Sequence, residues 1–469
     1  MMSLFIKPAF TNDAVVFGIL MIILAAIFYT SHLESKGWKK FYTFVPALLL
    51  CYFVPALFNW PLNLIAPHWF DEKSFMDLLN NYNLILPDGM SYDQTISWLS
   101  DNGVPKEEYN PVTRHSSLYY VASRYLLPAS LILLCLGIDL KAVRNLGSKA
   151  LVMFFAASLG IIIGGPIALL LISNFFPNLI GGVTPDQLWR GLSTVAGSWI
   201  GGGANQAAMK EIYEVADNLF GTMIVVDVVV ANIWMGFLLY GASISDKIDV
   251  KLKADNSSIT ALKESVSSYR AKVSEMPTVT KMFVLGAIAF GGVALSHWGS
   301  DVIVPFMKQF KETLTNLRLD SLMSGFFWLI VISTTVGVAA SFTKARKLEG
   351  IGASRWGSIF IYILVATIGM KMNLGDVFDN LGLFAVGITW MSVHVLILLF
   401  VAWLIKAPFF FVAVGSQANV GGAASAPIVA SAFDSSLAPV GVLMAVLGYA
   451  LGTYGAIICA TLMQIVATG

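Results

Sequence analysis

Two stretches decide how this chain is read: Gly197-Ser198-Trp199-Ile200-Gly201-Gly202-Gly203-Ala204-Asn205-Gln206, and in the second half Gly415-Ser416-Gln417-Ala418-Asn419-Val420-Gly421-Gly422-Ala423. Each interrupts an apolar run, the first over 187–215 and the second over 407–433. The chain around them has 469 residues, 57% hydrophobic and only 12% charged, with a mean hydropathy of +0.74. A water-soluble surface needs roughly 25% charged residues, so a soluble enzyme and a disordered chain are excluded. With 29 Lys and Arg against 28 Asp and Glu there is no basic excess to meet phosphate, and no nucleic-acid partner is expected. A polytopic membrane protein in a lipid bilayer remains. In lipid, peptide groups outside regular hydrogen bonding survive only when packed in protein or lining a wet cavity. The two glycine breaks therefore mark a site or a tight helix junction.

Outward from the breaks, ten longer apolar runs fall near 13–33, 41–60, 117–138, 149–173, 218–243, 280–298, 322–342, 356–371, 381–405 and 437–465. Each has about the length of one helical crossing. Lys7 precedes the first run without a cleavage signature, which reads as a first membrane helix and not a removable signal peptide. Residues 61–116 are acidic and read as a small folded insert, and 244–279 are Lys- and Ser-rich and read as a solvated linker. The halves repeat landmarks in order. Leu136-Gly137-Ile138-Asp139-Leu140 answers Ile368-Gly369-Met370-Lys371-Met372, and Gly203 and Gly221 lie 18 apart where Gly422 and Gly441 lie 19 apart.

Charge settles the parity. If both broken runs crossed the membrane, the basic linker would lie opposite the other basic loops. If they dip in and return, 18 basic residues fall on the cytosolic side and 10 on longer outer segments. The predicted fold is all-α and polytopic: two inverted repeats, about ten crossing helices and two re-entrant or broken-helix hairpins. Both termini are then outside. A pair of broken helices that do cross is the alternative.

The tips carry the candidate chemistry. Short-helix N-termini there favour an anion, and free carbonyls suit a sodium ion. Asn205, Gln206, Ser416, Gln417, Asn419 and Ser425 add neutral donors and acceptors. Small-residue helix packing would explain the glycines but not these polar neighbours. Asp227 lies near the centre of 218–243, where a charge costs about 2.5–3.5 kcal/mol on insertion scales and so faces a cavity or a partner. It reads as an ion- or proton-coupling group, or else as a structural residue holding the neighbouring hairpin. Asn232 follows five residues on, and Tyr449 and Thr453 are the nearest polar groups in the second half. Arg124 reads as a snorkelling residue, Asp139 and Lys371 as interfacial anchors, and His394 as a packing residue. Cys51, Cys135 and Cys459 read as small buried apolar groups. No metal-ligand spacing or nucleophile–base set occurs, so no catalytic residue and no enzyme activity is expected.

The segments GSWIGGGANQAA (197–208), VVDVVVANIWM (225–235), GSQANVGGAASAPIVASAF (415–433) and GYALGTYGA (448–456) resemble a prokaryotic integral-membrane family of unknown function. That family is placed in the clan of cation:proton antiporters and anion transporters, with glutamate:sodium, 2-hydroxycarboxylate and bile-acid:sodium symporters as relatives. The resemblance covers nearly all the membrane part but not 61–116. It implies scaffold helices at 1–60 and 280–343, and moving cores at 117–243 and 344–469 around the insert 61–116 and the linker 244–279. It also implies a homodimer and a place in a prokaryotic cytoplasmic membrane. A small polar, anionic organic solute would then lie between Ser198, Gly202, Gly203, Asn205 and Gln206 on one tip and Ser416, Gln417, Asn419, Gly421, Gly422 and Ser425 on the other. Asp227, Asn232 and Thr453 would serve ion coupling, with Na+ or H+ as the driving ion and no other cofactor. The expected function is a cation-coupled secondary transporter. Its alternatives are a cation:proton antiporter, and a non-transporting receptor or assembly partner that uses 61–116.

Overall fold

The computed structural model describes residues 7–45, 47–87, 90, 92–138, 146–180, 182–254, 276–317, 319–372, 382–434 and 437–468. Asp139 and the linker residues 255–275 lie outside the described residues. Among the described residues seven helices are long and apolar enough to cross a membrane: Asp13–Ser31, Leu118–Leu136, Ser148–Phe175, Asp217–Ser243, Val279–Lys308, Leu383–Ile405 and Val440–Ala467. Two bent pairs raise the number to as many as nine if each counts as one span. These are Lys36–Tyr42 with Ala47–Asn59, at 87°, and Gly325–Ser341 with Lys344–Ile351, at 95°. The tenth apolar run is the 17-residue helix Ala353–Gly369, short for a full crossing. This is an integral membrane protein, nearly all helical among the described residues.

The chain forms two compact units. The first joins Met1–Arg124 to Tyr362–Gly375. Asn12 caps Asp13–Ser31 by accepting from the Ala14 N–H at 2.9 Å. The insert has its own core of Phe70, Phe75, Leu78, Leu79, Leu99, Val104, Tyr109 and Val112. An antiparallel pair, His68–Phe70 with Thr113–His115, closes it in the register His68 opposite His115. Asp13 binds the insert's end to the first helix: its carboxylate accepts from Ser116 Oγ at 2.6 Å and from the Ser117 N–H at 3.0 Å. Lys371 lies 4.1 Å from the centre of the Tyr119 ring, a cation–π pairing that suits an interfacial anchor.

The second unit joins Tyr125–Ile361 to Asp376–Gly469. Its long helices are apolar on every side, as helices are when lipid or other helices surround them. Where they cross, missing Cβ atoms set the distance. A Cβ on Gly337 would stand 2.8 Å from the Ile132 carbonyl oxygen, and one on Gly357 would stand 3.1 Å from that of Ser130. The deepest core joins Met153 and Phe154 to Phe410, Phe411 and Val414, and to Val440 and Met444. All three cysteines are buried and free.

Within the insert, Asp71 caps Glu72–Asn81 and accepts from Ser74 Oγ at 2.8 Å and the Ser74 N–H at 3.2 Å. These bonds, the hydroxyl first, hold its carboxyl below the usual value. A carboxyl held low stabilises the folded state above its ordinary pKa, and that contribution is lost as pH falls through the lowered value. Amide exchange over Glu72–Asn81, corrected for intrinsic rates, should therefore stay protected through the ordinary carboxylate range and rise below it. Asp71→Asn keeps a cap and should remove that step.

Candidate functional site

Thr184 opens the first broken helix with a capping box, its hydroxyl accepting from the Gln187 N–H while the Gln187 side chain accepts from Thr184. Helix Pro185–Gly201 runs to Gly202, whose φ of +78° only glycine adopts readily, and Gly203–Ile212 follows. The chain reverses there. Trp189 and Tyr213 stack edge to face at 5.2 Å, and Arg190 Nη1 donates to the Tyr213 carbonyl at 3.0 Å. A Cβ on Gly197 would stand 2.6 Å from the Asn205 carbonyl oxygen and 2.9 Å from Met209 Cγ. A helix that continued straight would hold 197 and 209 about 18 Å apart.

The second reversal has the same form. Asp249 accepts from the Phe409 N–H at 2.7 Å and so caps Phe409–Val420 from a distant helix. Gly422, at φ +58°, starts Gly422–Phe433. Phe433 returns to the ring of Phe409 at 6.2 Å and of Phe410 at 5.3 Å, and Gln417 Nε2 donates to Ser425 Oγ at 2.7 Å. Each arm is 12 residues long, or about 18 Å, little more than half a hydrocarbon core of about 30 Å.

Two long helices serve as rulers for how the hairpins approach. Along Asp217–Ser243, Gly191 of the first hairpin sits by Leu219 and Met223, and Ser198 by Asp227. Further along the same helix, Ser416 of the second hairpin sits by Trp234 and Phe409 by Gly241. Along Ala438–Thr468 the order is reversed: Ala426 meets Gly441, both tips meet Gly448, Gly201 meets Gly452, and Ile200 meets Gly455. The hairpins thus come from opposite ends and their tips meet at mid-helix.

The polar residues of the tips are almost entirely buried and hold one another. Asp227, 4% exposed, accepts from Ser198 Oγ at 2.6 Å, Trp199 Nε1 at 2.7 Å and Gln206 Nε2 at 3.0 Å. Both arms of the first hairpin are thereby fastened to one carboxylate by neutral donors. Asn205 and Asn419 share a pattern. Asn205 Nδ2 donates to the carbonyls of Gly201 at 3.0 Å and Tyr449 at 3.5 Å, while its Oδ1 accepts from Thr453 Oγ1 at 2.6 Å. Asn419 Nδ2 donates to Gly415 at 3.0 Å and Phe154 at 3.2 Å, while its Oδ1 accepts from Ser158 Oγ at 2.7 Å. In both, the acceptor and the hydroxyl lie four residues apart on one long helix. Ser416 Oγ accepts from Trp234 Nε1 at 2.8 Å and lies 2.8 Å from His394 Nε2.

The expected site residues are therefore distributed over separate clusters. Ser198 and Gln206 join Asp227, Thr453 joins Asn205, and Ser416, Asn419 and the Gln417–Ser425 pair each have their own partners. Gly202, Gly203 and Gly421 are half-buried and Gly422 is buried. Asn232 stands apart from Asp227 and donates to the Val228 carbonyl of its own helix at 2.8 Å. Trp199, Trp234, Ser158 and Thr334, which bonds Thr453 at 3.0 Å, are participants that sequence reasoning missed. Among the described residues no group of three His, Cys, Asp or Glu is placed to hold a metal.

Residues 112–466 match the family described as "Protein of unknown function (DUF819)". The chain belongs to the DUF819 family. It is similar to YjcL of Bacillus subtilis (strain 168), described as an uncharacterized membrane protein, with 24% identity over 356 residues, 72% of this chain and 82% of YjcL. The DUF819 match holds both hairpins and Asp227, and most of the acidic insert precedes it.

At the base of the first hairpin, a cleft of about 570 Å³ opens between Gly182, Asp186, Arg190, Glu214 and Asn218. Arg190 Nε donates to Asp186 at 2.9 Å on its rim, and buried Lys210 lies 2.8 Å from Asp217 just below.

The tip junction leaves no room for side chains. A Cβ on Gly452 would meet Gly201 Cα at 2.5 Å, whereas one on Gly286 would meet nothing within 4 Å. Gly452→Ala should lower stability by about 1–3 kcal/mol. Gly286→Ala should change it by less than about 1 kcal/mol, in the stabilising direction. Melting of the two variants in detergent checks the contrast.

Proposed function

We propose that this DUF819 protein is a cation-coupled secondary transporter of a small polar, anionic organic solute, working by alternating access with an elevator-like movement of the hairpin-bearing core. One observation carries this reading: two opposed helical hairpins meet over a buried carboxylate and a set of buried amides and hydroxyls. Such breaks at mid-membrane are where transporters bind solute and ion. The resemblance to the antiporter and anion-transporter clan agrees with it, as does the inverted order of the hairpins along their two rulers. In this reading the tips take the solute and Asp227 provides the charge that coupling requires. The cytoplasmic membrane, outer termini and a homodimer belong to the same proposal.

A second reading is favoured by one feature. The tip side chains satisfy one another almost completely, and a cation:proton antiporter needs an ionisable core group without an organic-solute site. Dye quenching driven by ΔpH without added solute would select that reading.

The sidedness of the hairpins is measurable because the native cysteines are buried while Glu214 and Lys406 are exposed. An impermeant maleimide should label Glu214→Cys from outside and Lys406→Cys from the cytosol. Labelling of both from one face would overturn the opposed arrangement. In liposomes, Asp227→Asn should abolish the response of uptake or membrane current to a cation gradient. An unchanged response would remove Asp227 from coupling.

A further inference from the structure

The two short strands of the insert bring together a pair of histidines that lie far apart in sequence. Where His68–Phe70 runs beside Thr113–His115, His68 stands opposite His115, Trp69 opposite Arg114 and Phe70 opposite Thr113. One bond closes the ladder beyond each end. The Asp71 N–H donates to the Val112 carbonyl at 2.8 Å, and the Ser116 N–H to the Pro67 carbonyl at 2.9 Å. Hydrogen-bonded and non-bonded pairs alternate along an antiparallel ladder. Counting inward from either bond makes His68 and His115 a non-bonded pair, the kind whose side chains come closest, with Cα atoms about 4.5 Å apart. Both imidazoles leave the same face, and their ring centres are 6.4 Å apart.

That face is anchored at one end and open at the other. Two residues along it, Phe70 is buried and stacks on Phe75 at 4.2 Å. Tyr92 spans both positions, stacked on Phe70 at 4.9 Å and on His68 at 5.2 Å. A ring thus steadies His68, yet both histidines stay exposed. Arg114, the cation of the ladder, leaves the opposite face, where it lies 4.0 Å from Asp71.

We propose that His68 and His115 form a two-point binding site for Zn2+, with water completing the coordination. Neutral imidazole nitrogens suit zinc and its neighbours in the first transition row. Two imidazoles that share an ion at about 2.1 Å hold their ring centres about 5–6 Å apart, which a small rotation of exposed rings reaches from 6.4 Å. The site stands at the neck of the insert. Pro67 leads in, while Ser116 and Ser117 lead out and bond to Asp13 of the first helix. A two-stranded ribbon of three residues a side is a weak clasp by itself, and an ion across its outermost pair locks it. The inference is independent of the transport reading.

The test uses the full-length protein without a histidine tag. Zinc binding is followed by calorimetry, and amide exchange of the insert is measured with zinc, with a chelator and with magnesium. Wild type should bind one zinc saturably. At a hundredfold excess over the dissociation constant, amides that exchange by opening of the strand pair should slow by up to about a hundredfold. His68→Ala and His115→Ala should each raise that constant at least about tenfold and remove the protection. His115→Cys keeps a zinc ligand at the same place and should retain both effects. Zinc binding that survives either alanine, protection that magnesium reproduces, a His115→Cys protein no better than His115→Ala, or a wild type indifferent to zinc would each overturn the site. Zinc bound without slower exchange of the strands would overturn the clasp.

Discussion

Peptide groups released by a break in a transmembrane helix have no water to turn to, and each one left unmet costs several kcal/mol. The hairpin region is built around that constraint. Breaking two helices frees carbonyls and N–H groups at the tips, and the amide side chains beside the breaks are placed to meet them. Asn205 reaches back to the Gly201 carbonyl and across to Tyr449. Asn419 does the same with Gly415 and Phe154. Each amide oxygen receives a hydroxyl from the opposing long helix. Those long helices can come close enough only because they present glycine. Gly452 and Gly448 stand against Gly201 and Ile200 at distances that a Cβ would forbid. Polar satisfaction and small-residue packing, which look like competing explanations of a Gly-Asn-Gln stretch, are here two requirements of the same junction.

Asp227 adds a charge to this frame. Its helix is continuous through that point, so its backbone needs nothing from the hairpin. The carboxylate instead receives three side-chain donors, two from the first arm and one from the second. Hydrogen bonds to a charged group are worth about 1.5–3 kcal/mol each, so the first hairpin is held as a unit with the helix that carries Asp227. Displacement of that hairpin alone would strand a buried charge. Displacement of hairpin and helix together would not. This is why the arrangement suits movement of a rigid core better than the opening of one loop.

Much of this was legible in the sequence. The glycine breaks, the polar residues beside them and the lone acid at mid-span are each costly in lipid, and cost is what a single sequence displays. Counting basic residues predicts dips from opposite faces, and the two hairpins approach along their long neighbours from opposite ends. His394 reads from the sequence as a buried residue, and it lies buried between the Ser416 hydroxyl and the Ala157 carbonyl. The partnerships were not legible. Asn232 shares a helix with Asp227, but five residues turn it about 140° away, and its amide closes on its own backbone. Thr453 serves Asn205 and not an ion-coupling acid, a pairing that depends on how two helices 248 positions apart come into register. Trp199 and Trp234 stand in apolar surroundings where an indole usually means lipid or interface. Their N–H groups acquire meaning only from Asp227 and Ser416. The span count blurred for a related reason: Ala353–Gly369 is apolar enough for a crossing but short, and two other runs bend sharply.

The two hairpins are alike in shape and unlike in attachment. In the first, both arms bond to the same outside group, the Asp227 carboxylate. In the second, the first arm carries the polar tethers to neighbouring helices: Ser416 with Trp234 and His394, and Asn419 with Ser158 and Phe154. The second arm is joined to the first through Ser425 and Gln417, and it packs on Gly441 at Ala426 and Pro427. A duplicated architecture thus carries a carboxylate, Asp227, at the tip of one hairpin and only neutral contacts at the tip of the other, whose carboxylate partner, Asp249, sits at its base. In a low-dielectric interior that difference outweighs the similarity of the folds, because a carboxylate holds its donors more strongly than an amide or a hydroxyl does. At the tips, the hairpin bonded to Asp227 forms a charged, fastened wall and the hairpin carrying Ser416 and Asn419 a neutral one.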